Sequence, residues 1–191
     1  ERQEVPKGWE IGTLGEAIEL AYGKALKQDL RCSGLIPVYG SNGQVGWHNE
    51  KLVNGPGIIV GRKGNPGVVK WSQTDFFPID TTFYVNLKNK SLNLFYLFYE
   101  LRRHDLALLG ADSAVPGLNR NLAYMSQIII PPSAILKKFA SILAPIFDFI
   151  HLSNLQSRTL AEIRDLLLPK LISGEIRVPI NDEQIEEAIT T

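Results

Sequence analysis

Asn42 and Gln44 carry side-chain amides that can each make a two-toothed pair of hydrogen bonds. The adenine edge in a DNA major groove presents the matching donor and acceptor, and guanine presents two acceptors that suit the guanidinium forks of Arg62 and Arg120. Lys63, Lys70, Lys88 and Lys90 are point charges suited to phosphates, which backbone amides at Gly43 and Gly64 can also approach closely. Ser41, Asn65, Asn119 and Asn121 add short polar groups in the same stretches. Each also has a plainer reading: Ser41, Asn42 and Asn65 are ordinary turn residues, and Arg102-Arg103 reads as a solvated helix end.

Catalytic chemistry finds less support. The sequence holds no G-x-S-x-G, no H-E-x-x-H and no phosphate loop ending in Gly-Lys-Ser/Thr. Gly57-Ile58-Ile59-Val60-Gly61-Arg62-Lys63-Gly64 imitates such a loop, but Gly64 stands where magnesium needs a hydroxyl. His48, His104 and His151 lack metal-ligand spacing, and Asp80 beside Thr81 and Thr82 reads as a turn or sheet-edge element. An adenine methyltransferase would show Asn/Asp-Pro-Pro-aromatic, whereas Pro131-Pro132 lies between Ile130 and Ser133. The reading is a chain that binds rather than catalyses.

Those side chains need elements to hold them. Val5-Pro6-Lys7-Gly8-Trp9 is an extended entry with a turn, with Trp9 an anchor against the core. Thr13 and Glu16 form a capping-box pattern opening a short helix that ends near Tyr22-Gly23. Residues 24–34 read as loop. Residues 35–85 then switch to short apolar runs punctuated by Gly40-Ser41-Asn42-Gly43, Gly55-Pro56-Gly57 and residues 61–67, with Asn42 and Gly43 both suited to positive φ. A helix is expected over residues 92–109, a loop over 111–121 and a last strand over 125–130.

Residues 133–168 read as one long helix with a four-then-three stripe through Phe139, Ile142, Ile146, Phe149, Leu160, Ile163 and Leu167. Ser153 and Gln156 put polar groups in that seam, and Pro145 is expected to bend or split the helix, which should be left before Leu171-Ile172. The fold class expected is α+β. A globular head with a small irregular antiparallel β-sheet or partial barrel and short helices precedes a long C-terminal coiled-coil-type helix.

Charge discriminates weakly. The chain balances 20 basic against 20 acidic residues, and residues 1–132 carry 14 against 12. A head so near neutrality can hold nucleic acid only through local clusters. Cys32 is the single cysteine, which excludes an intrachain disulfide and a cysteine-rich zinc site. No apolar run approaches a membrane span and no signal peptide opens the sequence, so a cytoplasmic setting is expected.

Five blocks in order resemble the specificity (S) subunits of type I restriction–modification systems. They are Val38-Tyr39-Gly40-Ser41-Asn42-Gly43; Gly57-Ile58-Ile59-Val60-Gly61-Arg62-Lys63-Gly64; Phe77-Pro78-Ile79-Asp80-Thr81-Thr82-Phe83-Tyr84-Val85; Ala114-Val115-Pro116-Gly117-Leu118-Asn119-Arg120; and Leu168-Pro169-Lys170-Leu171-Ile172-Ser173-Gly174-Glu175-Ile176. The resemblance implies a target-recognition domain over 1–132, a conserved-region helix and end segment over 133–178, and an acidic tail over 179–191. It implies sequence-specific recognition of double-stranded DNA without catalysis, on behalf of partner methyltransferase and restriction subunits. S-adenosylmethionine, ATP and Mg would belong to those partners, and no cofactor to this chain. The expected DNA-facing residues are Ser41, Asn42, Gln44, Arg62, Lys63, Asn65, Lys70, Asn119, Arg120 and Asn121. In the family two such units pair through antiparallel helices, which fix the distance between half-sites and dock the methyltransferase subunits. One head and one helix therefore imply either the second half of a longer chain or a half-length subunit that dimerises. Glu1 in place of an initiator Met leans toward a fragment. The alternative is a coiled-coil adaptor whose head binds protein, which the near-neutral head and long seam would also suit.

Overall fold

The Trp9 N–H closes the entry turn on the Pro6 carbonyl at 3.0 Å, leaving Trp9 partly buried. In this computed structural model residues 5–109 and 117–177 are described, so Ala114, Val115 and Pro116 of the fourth block and the acidic tail lie outside the described residues. The chain forms two compact units, Glu1–Phe147 and Asp148–Thr191.

Strand β1 (Glu10–Thr13) runs into α1 (Leu14–Ala17), a single turn. The expected capping box is present: Thr13 N–H donates to Glu16 Oε2 at 2.8 Å, and Glu16 N–H to Thr13 Oγ1 at 3.3 Å. The helix does not reach Tyr22-Gly23. Ile18–Tyr22 is instead β2, where buried Ile18 and Leu20 flank exposed Glu19 with a period of two rather than 3.6. A Gln28–Leu30 3-10 turn lies within the expected loop.

Strands β3 (Ile36–Gly40) and β4 (Gly43–His48) form a hairpin closed by Ser41 and Asn42. Gly43 alone takes the positive angle there, φ 129°, and Asn42 does not. Strands β5 (Gly57–Gly61), β6 (Val69–Ser72), β7 (Phe77–Pro78) and β8 (Thr82–Leu87) follow. The largest sheet has the order β2-β8-β5-β6 with every pairing antiparallel. Interior β5 is buried at all five positions, which explains its unbroken apolar run. A second sheet, β4-β3-β7, contains one parallel pairing, Val38 to Phe77 and Tyr39 to Pro78, where an antiparallel arrangement was expected. Strand β9 (Gln127–Ile130) pairs with β1, and no barrel closes among the described strands.

Helix α2 (Leu94–Arg103) stops short of residue 109 because His104 adopts extended geometry, ψ 125°. The predicted loop over 111–121 also gives way, at its end, to α3 (Arg120–Met125), whose first amides are capped by Asn119. Helix α4 (Ser133–Ile172) continues through both Pro145 and Pro169 and ends later than expected. Each proline deprives the carbonyl four residues earlier of its donor, but Ser141 and Asp165 are exposed, so water can replace the missing bond.

The core joins Leu14, Ile18, Leu20, Ile58, Val60, Phe83, Leu97, Leu101 and Ile128. Leu136, Leu143 and Phe147 of α4 pack on it, and the Phe147 ring lies 4.8 Å from that of Trp71, 5.3 Å from Phe95 and 5.7 Å from Phe98. This divides the expected stripe. Phe139 turns toward Tyr99, with ring centroids 6.1 Å apart, whereas Ile142, Ile146, Phe149, Leu160, Ile163 and Leu167 are exposed.

Candidate nucleic-acid interface

Main-chain hydrogen bonds gather the glycine-rich turns. The N–H groups of Arg62 and Lys63 both donate to the Thr81 carbonyl, at 2.9 and 3.1 Å. The Arg62 carbonyl in turn accepts from Leu118 N–H at 2.9 Å, and Lys63 forms a β-bridge with Gly117. Three of the five sequence blocks thus meet around one turn.

The first block reaches the same place. A Cβ added to Gly61 would lie 2.0 Å from the Asn65 carbonyl oxygen and 3.0 Å from that of Ser41. A Cβ on Gly64, where φ is +79°, would lie 3.3 Å from Ser41 Oγ. The β3–β4 and β5–β6 turns touch because both glycines lack that atom. Lys70 lies across the same join, its Cε 3.6 Å from the position of a Gly43 Cβ.

Arg62 and Arg120 converge on one ring. Each guanidinium carbon is 5.1 Å from the Tyr22 centroid. Arg62 also faces Phe83 at 6.0 Å, and Arg120 faces Tyr124 at 5.9 Å. The Arg120 Nη1 donates to the Leu20 carbonyl at 3.5 Å, while Arg62 Nε is buried without a hydrogen-bond partner. Neither arginine forms an ion pair among the described residues.

The other candidates separate into outward-facing and internally engaged groups. Asn42, Lys63, Asn65, Lys70 and Asn121 are exposed, and Ser41 is half-buried at the turn contact. Gln44 is exposed but its Nε2 donates to the Gly46 carbonyl at 3.3 Å. The Asn119 side-chain oxygen accepts from Asn121 and Leu122 N–H at 3.0 and 3.2 Å, which leaves only its NH2 for another partner. Lys88 Nζ donates to the Gly15 carbonyl at 2.8 Å and stands 5.3 Å from the Tyr124 centroid. A fold-internal role thus occupies the Lys88 ammonium. Shifts in acidity elsewhere among the described residues have structural causes. The Thr13 N–H and hydroxyl hold Glu16 below the usual carboxylate range, and burial together with the Glu100 charge pushes the Tyr96 phenol up to about 12.

The family described as type I restriction modification DNA specificity domain matches residues 6–163. This chain belongs to that family. It is 26% identical over 208 residues to the type I restriction enzyme MjaIX specificity subunit of Methanocaldococcus jannaschii, covering 92% of this chain and 46% of that protein. It is also 26% identical to the HindI specificity subunit of Haemophilus influenzae, covering 90% and 42%. The chain thus spans about half the length of these relatives. The fold is similar to that of the type I restriction–modification S subunit from M. genitalium, with TM-score 0.65, 22% identity, 86% of this chain and 46% of that one. It is similar also to the HsdS subunit from Thermoanaerobacter tengcongensis, with TM-score 0.55, 17% identity and coverage of 91% and 47%. Specificity subunits are the non-catalytic components of type I systems.

Within this specificity domain two residues escaped the sequence reading. The sequence pattern puts Tyr22 at the end of a helix, but Tyr22 ends a strand whose partner is β8, and its exposed ring faces both arginines. The alternation Ile18-Glu19-Leu20 was the available signal. Arg31 lies in the loop that the sequence predicts, and its Nη1 donates to the Val45 carbonyl at 2.8 Å, beside Gln44 on β4. No sequence signal placed it there. Among the described residues no His, Cys, Asp or Glu cluster could hold a metal, and no helix is long and apolar enough to cross a membrane.

Proposed function

We propose that this chain reads part of a double-stranded DNA target as one half of a type I specificity subunit. Arg62 and Arg120 supply guanine or phosphate contacts, Asn42 and Gln44 amide contacts, and Lys63 and Lys70 phosphate contacts. Ser41, Asn65, Asn119 and Asn121 shape or extend that surface. The observation that supports this most is the meeting of Arg62 and Arg120, from distant parts of the chain, with no acidic partner for either among the described residues. Two cations held together without an anion suit an acceptor-rich ligand. Family membership favours DNA over protein as what the head binds.

In this reading residues 1–132 recognise DNA and 133–178 space and dock. The exposed seam of Ile142, Ile146, Phe149, Leu160, Ile163 and Leu167 pairs with a second copy or second half of a specificity subunit. Methyltransferase and restriction subunits join that assembly in the cytoplasm and bring S-adenosylmethionine, ATP and Mg. Sequencing the methylome of cells with and without the gene tests the whole reading. A split adenine motif that disappears on deletion is the expected result, and an unchanged set of adenine marks refutes it. DNA binding by the assembled complex should also weaken steeply as salt rises.

A further inference from the structure

We infer that Arg62, Tyr22 and Arg120 form a single reading unit, in which Tyr22 positions both guanidinium forks on the same short element of the target. This rests on the DNA-binding reading above and adds to it which residues act together. Three independent anchors bring the parts into register. Tyr22 is fixed by its β-ladder partner Phe83, whose ring lies 5.0 Å from its own. Arg62 is fixed through its main-chain bonds to Thr81 and Leu118. Arg120 starts α3, which Asn119 caps, and reaches back to Leu20 in the strand that carries Tyr22. The Tyr22 ring is 52% exposed and both arginines are half-buried, so the cluster lies at the surface.

A purely structural role explains less. A cation over an aromatic face is held weakly at an exposed site. Two cations on one ring also repel each other, which one arginine there would avoid. An anionic or acceptor-rich ligand that contacts both guanidinium groups relieves that repulsion, and guanine O6/N7 or phosphate oxygens have the required chemistry. Tyr22 is then a positioning residue: it limits how far each fork can swing.

The test measures binding by the assembled complex, carrying the full chain, to a cognate duplex and to duplexes substituted one base pair at a time. Arg62→Ala and Arg120→Ala should each weaken cognate binding about 5-fold or more. The double variant should lose little beyond the worse single one, because the residues act as a unit. Tyr22→Phe keeps the ring and should behave as wild type, whereas Tyr22→Leu should relax discrimination at the base pairs affected by the arginine variants. If guanine is the acceptor, the losses concentrate at one or two adjacent base pairs. If phosphate is the acceptor, they are uniform across duplexes and lower the salt slope. Additive arginine losses, or effects at separate base pairs, overturn the unit. So does wild-type recognition by Tyr22→Leu with unchanged thermal stability. Those outcomes leave DNA reading intact, which fails only if the wild-type complex shows no salt-dependent preference for the cognate duplex.

Discussion

Phe147 and Phe149 are two residues apart on α4 and should respond very differently to truncation. Phe147 is 9% exposed and Phe149 71% exposed. Phe147 faces Trp71, Phe95, Phe98 and Tyr99, at centroid separations from 4.8 to 6.4 Å. Its replacement by Ala removes a ring from an enclosed aromatic cluster and leaves a void that rigid neighbours fill poorly. Such substitutions cost about 3–5 kcal/mol. Each aromatic pair adds roughly 0.5–1.5 kcal/mol beyond burial, but the four contacts share one ring, so they fall within that total rather than adding to it. At about 2–4 °C per kcal/mol for a chain of this size, the melting temperature should fall by at least about 6 °C. Phe149→Ala should change the stability of the unpaired chain by no more than about 0.5 kcal/mol. Its effect should appear in helix pairing, as a melting temperature that depends on protein concentration in wild type and less so in the variant. Calorimetric or circular-dichroism melts at several dilutions measure both. Equal losses at every dilution would refute the assignment of the two faces.

Gly61→Ala should destabilise by about 1–3 kcal/mol, because the new methyl meets main-chain atoms that no rotamer change can move. Chemical denaturation checks this, and DNA binding should fall with it. Glu16 has a lowered folded pKa, so its contribution is complete above the ordinary value of 4.5 and is lost as pH falls through the folded value. Glu16→Gln keeps an acceptor for Thr13 N–H without titrating, so its stability should lose less on acidification than wild type, as melts across that range would show. Insertion of one or two helical turns near Gln156 should lengthen the gap between half-sites and leave both half-sites unchanged, as methylome sequencing can read directly.

The features legible in the sequence were those governed by local chemistry. The Thr13–Glu16 capping box, the glycine turns, the buried run Ile58-Ile59-Val60 and the start of α4 at Ser133 are all set by a few adjacent residues. Features decided by distant partners were misread. Ile18–Tyr22 followed a helix start and became a strand because β8 was available to pair with it. Six residues starting at Arg120 are too few to show helical period, so the polar Asn119-Arg120-Asn121 run read as loop. The α4 stripe is apolar in the sequence, but which of its residues turn to the head depends on the placement of Trp71, Phe95 and Tyr99. The guanidinium forks of Arg62 and Arg120 are visible in the sequence. Their meeting over Tyr22 is a tertiary fact with no local trace.

The turn that presents Arg62 and Lys63 is held through Thr81 and Leu118 entirely by peptide groups. Such bonds are indifferent to which side chains hang from the turn. The exposed residues 63 and 65 can therefore be exchanged while the scaffold beneath them stays in register, provided Gly61 and Gly64 remain small. If this surface reads DNA as proposed, point substitutions there should change its preference while the fold is kept.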